Sequence, residues 1–110
     1  MVRIEFLRGI PVREAWPRED RDFTPWLASP DLTPLTYLLS ACSIEIGAEP
    51  EVRTEVKIPG LLRSLDILVQ LEGGDRIAIE NQFSEADHDH MTRALAYAVG
   101  LDARTVILVA

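Results

Sequence analysis

The sequence has a single cysteine, no long hydrophobic run and no low-complexity tract, and each absence narrows the class of protein. Cys42 has no second cysteine in the chain with which to form an internal disulfide. No stretch approaches the roughly 18 consecutive apolar residues of a membrane span. The N-terminus also lacks the apolar segment and cleavage site of a signal peptide. We therefore expect a soluble cytoplasmic protein that does not enter a membrane.

Basic charge is also scarce. Lysine and arginine together number 11 against 18 aspartates and glutamates, which leaves a net charge of −7. Without a global basic field, the chain does not attract phosphates at long range. Any nucleic-acid binding must therefore be local, as at acidic residues that hold a divalent cation, because the metal reverses the local sign of the charge.

What is present is typical of one folded domain. The 110 residues, of which 47% are hydrophobic and 26% charged, predict a single globular domain over residues 1–110. Thr24-Pro25 and Thr33-Pro34 each place a capping hydroxyl before a proline, which predicts two short helices. The second helix carries an apolar stripe that we expect in the core, formed by Leu35, Leu38, Leu39 and an inert Cys42.

Residues 51–58 alternate between polar and apolar side chains, which is the pattern of a half-buried strand. We expect its apolar face to consist of Val52, Thr54, Val56 and Ile58. Pro59-Gly60 then ends the strand.

Two further apolar runs, residues 65–71 and 76–82, flank a glycine-containing turn and predict a β-hairpin. Odd-numbered positions carry the apolar side chains of both strands, so the register must place them on one face. The even-numbered positions then share the other face: Asp66, Gln70, Glu80 and Gln82. This pairing requires a three-residue loop with a glycine at positive φ. It sets Asp66 opposite Glu80 or one step diagonal to it, roughly 5 to 8 Å away, a span that one cation can bridge.

The last third of the sequence predicts a helix followed by a buried strand. A capping box at Ser84 and Asp87 and a stop at Gly100 predict a helix over residues 85–99. Its expected core stripe consists of Met91, Ala94, Leu95, Ala98 and Val99. A second face groups His90, Arg93 and Tyr97. Residues 105–109 are continuously apolar, as in a strand buried on both faces of a parallel sheet.

This apolar strand also bears on assembly. The sequence stops inside it, and three large aromatic side chains, Trp16, Phe23 and Trp26, precede the second helix. We expect a further C-terminal segment or a partner to cover this apolar surface, most simply in a C₂ homodimer.

An acidic residue, a hairpin, a second acidic motif, a helix and a buried strand follow one another in the order of the PD-(D/E)xK nuclease core. Asp66 and the string Ile79-Glu80-Asn81-Gln82 carry this likeness, so the chain resembles the restriction-endonuclease-like superfamily. The strings IENQFSEADHDH and WPREDRDFTPWL further resemble a bacterial protein group whose N-terminal domain has this fold. The resemblance covers nearly the whole chain. It implies an α/β fold with a restriction-endonuclease-like α/β/α core around a central mixed β-sheet.

The resemblance also implies a metal site. Asp66 and Glu80 match the two metal-binding carboxylates of the family, and the carbonyl of Asn81 matches the backbone oxygen that completes the magnesium shell. Glu19 matches an acid on the first helix, where it serves as an outer or second-metal ligand. The competing interpretation makes Asp66 and Glu80 solvated polar positions on the open face of a sheet.

Other residues are implied to act around the metal. Gln82 stands where the family usually has lysine and is expected to position the attacking water. Tyr97 matches the tyrosine of the RecB-type Q-x-x-x-Y motif, with Arg93 in place of the glutamine. His88 and His90 are separated by about 200° around a helix, so one zinc ion cannot easily take both. We expect His90 to face the acidic site and, like Tyr97, to support the scissile phosphate.

These residues predict a Mg²⁺- or Mn²⁺-dependent nuclease, an endonuclease-type phosphodiesterase that hydrolyses DNA, or a nucleic-acid-binding domain derived from one. The alternative is a catalytically inactive module that keeps the nuclease fold for dimerisation or scaffolding. This alternative follows from Gln82, because glutamine offers a neutral dipole where lysine would supply a positive charge.

Overall fold

The computed structural model describes residues 3–7, 27–28, 32–58, 60, 64–81 and 88–109. In chain order, the helices and strands of this part are β1 Arg3–Leu7, α1 Thr33–Ala41, β2 Glu51–Lys57, β3 Ser64–Gln70, β4 Arg76–Asn81, α2 His88–Gly100 and β5 Thr105–Val109. Neither helix is long and apolar enough to cross a membrane, a finding restricted to these residues.

The strands form one five-stranded mixed sheet in the order β1-β5-β4-β3-β2. β1, β5 and β4 run parallel to one another, whereas β3 is antiparallel to both β4 and β2. This arrangement confirms the expected α/β class with a central mixed sheet. The sequence analysis missed β1, whose residues alternate between charged and apolar side chains over only five positions.

Each face of the sheet has its own hydrophobic core. The α1 core joins α1 and Leu27 to inward side chains of the sheet, among them Ile67, Val69, Ile77, Ile79 and Ile107. The α2 core joins α2 to the other face, among them Leu65, Leu68, Ala78, Val106 and Leu108. The stripe predicted for α1 is confirmed, because Leu35, Leu38, Leu39 and Cys42 are all buried in the α1 core.

Cys42 is an inert core residue, as expected, with only 2% of its surface exposed. Burial raises the pKa of its thiol above the ordinary value, the charge of Glu5 raises it further, and the charge of Arg3 lowers it. A neutral, enclosed thiol of this kind is a poor nucleophile.

The hairpin between β3 and β4 has the predicted register. Ile67 pairs with Ile79 and Val69 with Ile77, and these four side chains share the α1 core, as predicted. The N–H of Leu71 donates to the carbonyl of Asp75 at 2.9 Å and encloses a three-residue loop. Gly74 within that loop has φ 96°, which confirms the expected left-handed glycine.

Strand β2 does not keep one apolar face along its length, contrary to the strict alternation of its sequence. Val52 packs against the α1 core, while Val56 belongs to the α2 core. The change falls at Glu55, whose φ of 52° lies in the left-handed region. On β3, Ile67 belongs to the α1 core and Leu65 to the α2 core, so the paired strands change faces at the same level.

The buried stripe of α2 differs from the predicted one. It consists of Ala94, Tyr97, Ala98 and, just beyond the helix, Leu101. Leu95 and Val99, expected in the core, are 54% and 85% exposed, whereas Tyr97 is 1% exposed. The helix is rotated relative to the expectation because the tyrosine ring, with the largest apolar area on this helix, takes the place against the sheet.

Both helices end in Schellman motifs. The N–H of Ile44 donates to the carbonyl of Leu39 at 2.8 Å, and the N–H of Ala103 donates to that of Ala98 at 3.1 Å. Ser43 and Asp102 occupy the left-handed positions, with φ 60° and 52°. The predicted stop at Gly100 is therefore corrected, because that glycine is the last residue of α2 and Asp102 makes the turn.

Two arginines tie the strands to these helix ends. The Arg3 guanidinium donates to the carbonyl of Cys42, at the C-terminus of α1. Nη1 of Arg76 donates to the carbonyl of Leu101 at 3.0 Å, at the C-terminus of α2. Both cations thus satisfy terminal carbonyls and lie at the negative end of a helix dipole.

Strand β5 is buried on both faces, as predicted, and it also has a parallel neighbour on each side. Its apolar side chains therefore need no further chain to cover them, which corrects the reason for expecting a partner at this strand. The homodimer stays a prediction, and Trp16, Phe23 and Trp26 lie outside the described residues.

Candidate functional site

The two predicted metal ligands lie on neighbouring strands. The pairing of β3 with β4 ends at Ile67 with Ile79, and Asp66 and Glu80 are the next residue of each strand. The two carboxylates therefore stand on neighbouring strands at one level of the sheet, and both residues are half-buried.

Glu80 and Tyr97 lie on the same side of the sheet. Glu80 is two residues from Ala78, a member of the α2 core, so the alternation of a strand places it on the α2 face. Its Oε2 atom is buried, and so is the hydroxyl of Tyr97, whose ring belongs to the α2 core. Helix α2 and β4 thus bring a carboxylate and a phenol, both predicted site residues, into one layer of the protein.

The site lies at the carboxyl end of a parallel strand. Asn81 is the last residue of β4, and it pairs with Val109 at the end of the parallel strand β5. On its other side, β4 is antiparallel to β3. In open α/β sheets, ligands bind beyond the carboxyl ends of the parallel strands.

Several predicted site residues cannot be placed relative to this pair. Glu19 and Gln82 lie outside the described residues. The backbone of His90 belongs to α2 and that of Asn81 to β4, but their side chains lie outside the described part. Among the described residues, Glu80 and Tyr97 therefore share one side of the sheet, and Asp66 lies on the strand next to Glu80.

The sequence analysis missed a third acid at this level. The register between β2 and β3 pairs Thr54 with Ile67 and Val56 with Leu65, so Glu55 lies across from Asp66. Glu55, Asp66 and Glu80 therefore occupy one row across three strands, which we call the acidic row. Glu55 is one of the polar residues that alternate with apolar ones along β2, so the sequence marks it as a polar position. The sequence does not show which residue of β3 faces it.

The acidic row does not form a three-carboxylate cage. Within the described ranges, no group of three or more His, Cys, Asp or Glu side chains could hold a metal ion. Glu55 is exposed, whereas Asp66 and Glu80 are half-buried. The carboxylates of Asp66 and Glu80 and the carbonyl of Asn81 stay the predicted cation ligands, and all would offer hard oxygen donors. Mg²⁺ commonly uses one or two carboxylates and retains several waters.

Two openings of the described surface lie elsewhere. Clefts of about 290 and 460 Å³ are found at the amino ends of β1, β4 and β5, and both are lined by Asp75 and Arg104. Arg104 Nη1 lies 3.8 Å from Asp75 Oδ1 in an exposed ion pair. The candidate site is at the opposite end of the parallel strands, so these clefts are not part of it.

Comparison with known proteins gives no relative from which these roles could be transferred. No family model matches the chain. No curated protein and no solved structure is significantly similar to it either. The assignment of the site therefore depends on its own geometry and on the motif resemblance of the sequence.

Proposed function

We propose that the protein is a Mg²⁺- or Mn²⁺-dependent nuclease with a restriction-endonuclease-like core that hydrolyses phosphodiester bonds in DNA. One observation carries this proposal: the pairing of β3 with β4 ends at Ile67 with Ile79, so Asp66 and Glu80 are the next residues of two neighbouring strands, near the carboxyl end of β4. Two neighbouring carboxylates in a half-buried position favour a divalent cation, because their mutual repulsion falls when a cation lies between them.

Each residue has a defined task in this proposal. Asp66 and Glu80 bind the cation, and the carbonyl of Asn81 adds a neutral oxygen. A bound cation would lower the pKa of a water and stabilise negative charge on the phosphate. The side-chain amide of Gln82 would orient the attacking water, and Glu19 would add an outer acid. Of the two residues predicted to support the scissile phosphate, His90 would take that role, because the hydroxyl of Tyr97 is buried.

Calorimetric titration with Mg²⁺ and with Mn²⁺ tests the proposal. Glu80→Gln and Asp66→Asn remove charge but keep shape, so each should weaken binding by about tenfold or more, at least as much as the loss of an outer-shell partner. Glu72→Gln is the matched control, because Glu72 is an exposed acid in the loop of the same hairpin. Binding that survives in both site variants, or that is absent from the wild type, contradicts the proposal.

Glutamine at position 82 favours a second candidate, a nuclease fold without turnover that serves as a scaffold or dimerisation module. The two candidates differ in one result. The nuclease cleaves plasmid or oligonucleotide DNA with Mg²⁺ or Mn²⁺, and Asp66→Ala abolishes the cleavage. The scaffold leaves the same substrates intact. Nicking that persists in Asp66→Ala contradicts the assignment of the carboxylates.

A further inference from the structure

The acidic row contains one feature that a two-carboxylate site does not explain, the left-handed backbone of Glu55. Its φ of 52° occurs within β2, between residues that pair regularly with β3. A residue with a side chain rarely adopts positive φ, and such strain is concentrated at functional sites. Ser43 and Asp102 also have positive φ, but both end helices, where this conformation is ordinary.

The backbone at Glu55 coincides with a change of face in both strands. Before it, Val52 of β2 and Ile67 of β3 pack on the α1 side of the sheet. Beyond it, the cross-strand pair of Val56 and Leu65 packs on the α2 side. Asp66 lies between Leu65 and Ile67, at the residue where β3 turns over. In a regular strand, Leu65 and Ile67 would point to the same side.

We propose that Glu55 is a positioning residue of the candidate site. Its left-handed backbone sets the rotation of β3 at Asp66, and it thereby sets the alignment of Asp66 with Glu80. This inference rests on the proposed function. The role belongs to the backbone and not to the carboxylate, because Glu55 is exposed and the acidic row forms no three-acid metal cluster within the described ranges.

Substitutions at position 55 distinguish the effect of the backbone conformation from the effect of the carboxylate. Glycine and asparagine adopt the left-handed region readily, whereas valine, being β-branched, strongly opposes it. Glu55→Gly and Glu55→Asn should therefore bind Mg²⁺ within about twofold of the wild type, while Glu55→Val should bind about tenfold more weakly or worse, as when an outer-shell support is lost. Glu55→Ala is a milder second variant, in case valine prevents folding. Glu51→Val is the matched control, an exposed acid of the same strand with ordinary φ.

A second measurement, made in the absence of metal, detects which core the side chains of β3 contact on either side of Asp66. Methyl nuclear Overhauser effects should connect Leu65 to the α2 core and Ile67 to the α1 core in the wild type, Glu55→Gly and Glu55→Asn. In Glu55→Val or Glu55→Ala, loss of the left-handed turn should remove the Leu65 contacts with the α2 core. Parallel loss of these contacts and of Mg²⁺ affinity supports the proposal.

The outcomes distinguish this inference from the proposed function. A wild type that binds neither Mg²⁺ nor Mn²⁺ overturns the proposed function, and this role with it. A wild type that binds the metal, with unchanged affinity in both Glu55→Val and Glu55→Ala, overturns the positioning role alone. Equal losses in Glu55→Gly, Glu55→Asn and Glu55→Val also overturn it, because they assign the effect to the carboxylate.

Discussion

Gln82 is the residue on which the choice between nuclease and scaffold depends. The proposed chemistry needs positive charge near the attacking water and the developing phosphate charge, and glutamine supplies only a neutral amide. In the proposed site, Asp66 and Glu80 would bind the cation without help from Gln82. Metal binding and turnover are therefore separate properties of this site, and an experiment at position 82 addresses turnover alone.

Gln82→Lys should preserve DNA cleavage or raise it, up to about tenfold to a hundredfold, by restoring a charge near the reacting phosphate. Cleavage of supercoiled plasmid with Mg²⁺ and with Mn²⁺ measures the effect. Gln70→Lys, on the same hairpin, is the matched control and should leave the rate unchanged. If neither the wild type nor Gln82→Lys cuts the substrate although both bind metal, the scaffold candidate is correct.

At the scale of single elements, the ends of the helices depend on the sheet. Arg76 begins β4 and donates to the carbonyl of Leu101 at the C-terminus of α2. The two residues of this hydrogen bond are 25 positions apart in sequence, and the bond connects the end of α2 to β4, the strand that carries Glu80. The position of α2, and with it that of Tyr97, thus depends on a residue at the other end of β4.

Arg76→Ala should lower the free energy of unfolding by about 1–2 kcal/mol, because it removes a charge-assisted hydrogen bond and a cation at a helix C-terminus. Urea unfolding monitored by circular dichroism measures this change. Arg53→Ala is the control, since Arg53 is exposed on the edge strand β2, and its loss should change stability by less than about 0.5 kcal/mol. Equal stabilities of the two variants would falsify the capping role.

Sequence patterns predicted the elements that obey regular periodicity. In the hairpin, Ile67, Val69, Ile77 and Ile79 form one apolar face at odd positions, and a register that buries this face on one side predicts the pairing of Ile67 with Ile79. The same reasoning aligned Asp66 with Glu80, which is as much of the candidate site as the pattern could determine. Glu19 and Gln82 depended on motif resemblance alone.

Elements that break periodicity could not be predicted. Polar and apolar side chains alternate strictly over residues 51–58. At Glu55, however, the positive φ turns the second half of β2 toward the α2 core, and no residue type in this segment predicts that change. In α2, two overlapping stripes fit a helical period. The predicted stripe places Leu95 and Val99 in the core and leaves Tyr97 on another face, whereas in the structure it is the ring of Tyr97 that packs against the sheet. Tertiary packing decided between equal local patterns.

For the whole molecule, the negative net charge opposes DNA binding. At −7, the protein repels a polyanion, so the proposed nuclease would have to gain its affinity for DNA from a cation held by Asp66 and Glu80. Fluorescence anisotropy with a labelled duplex should therefore show binding in Mg²⁺ that weakens about tenfold or more in EDTA. The Asp66→Asn, Glu80→Gln double variant should bind equally in both conditions. Metal-independent binding by the wild type contradicts a local, cation-mediated contact.

The pairing of β1 with β5 has a consequence for the order in which the protein folds as it is synthesised. β1 and its neighbour in the sheet, Thr105–Val109, are far apart in sequence, with Arg3 paired to Thr105. The β3–β4 hairpin closes over a few residues and can form early, whereas β1 can pair with β5 only after all the residues between them have been made. Until β1 docks, β5 presents an unpaired apolar edge, which is the point of greatest exposure to aggregation during biogenesis.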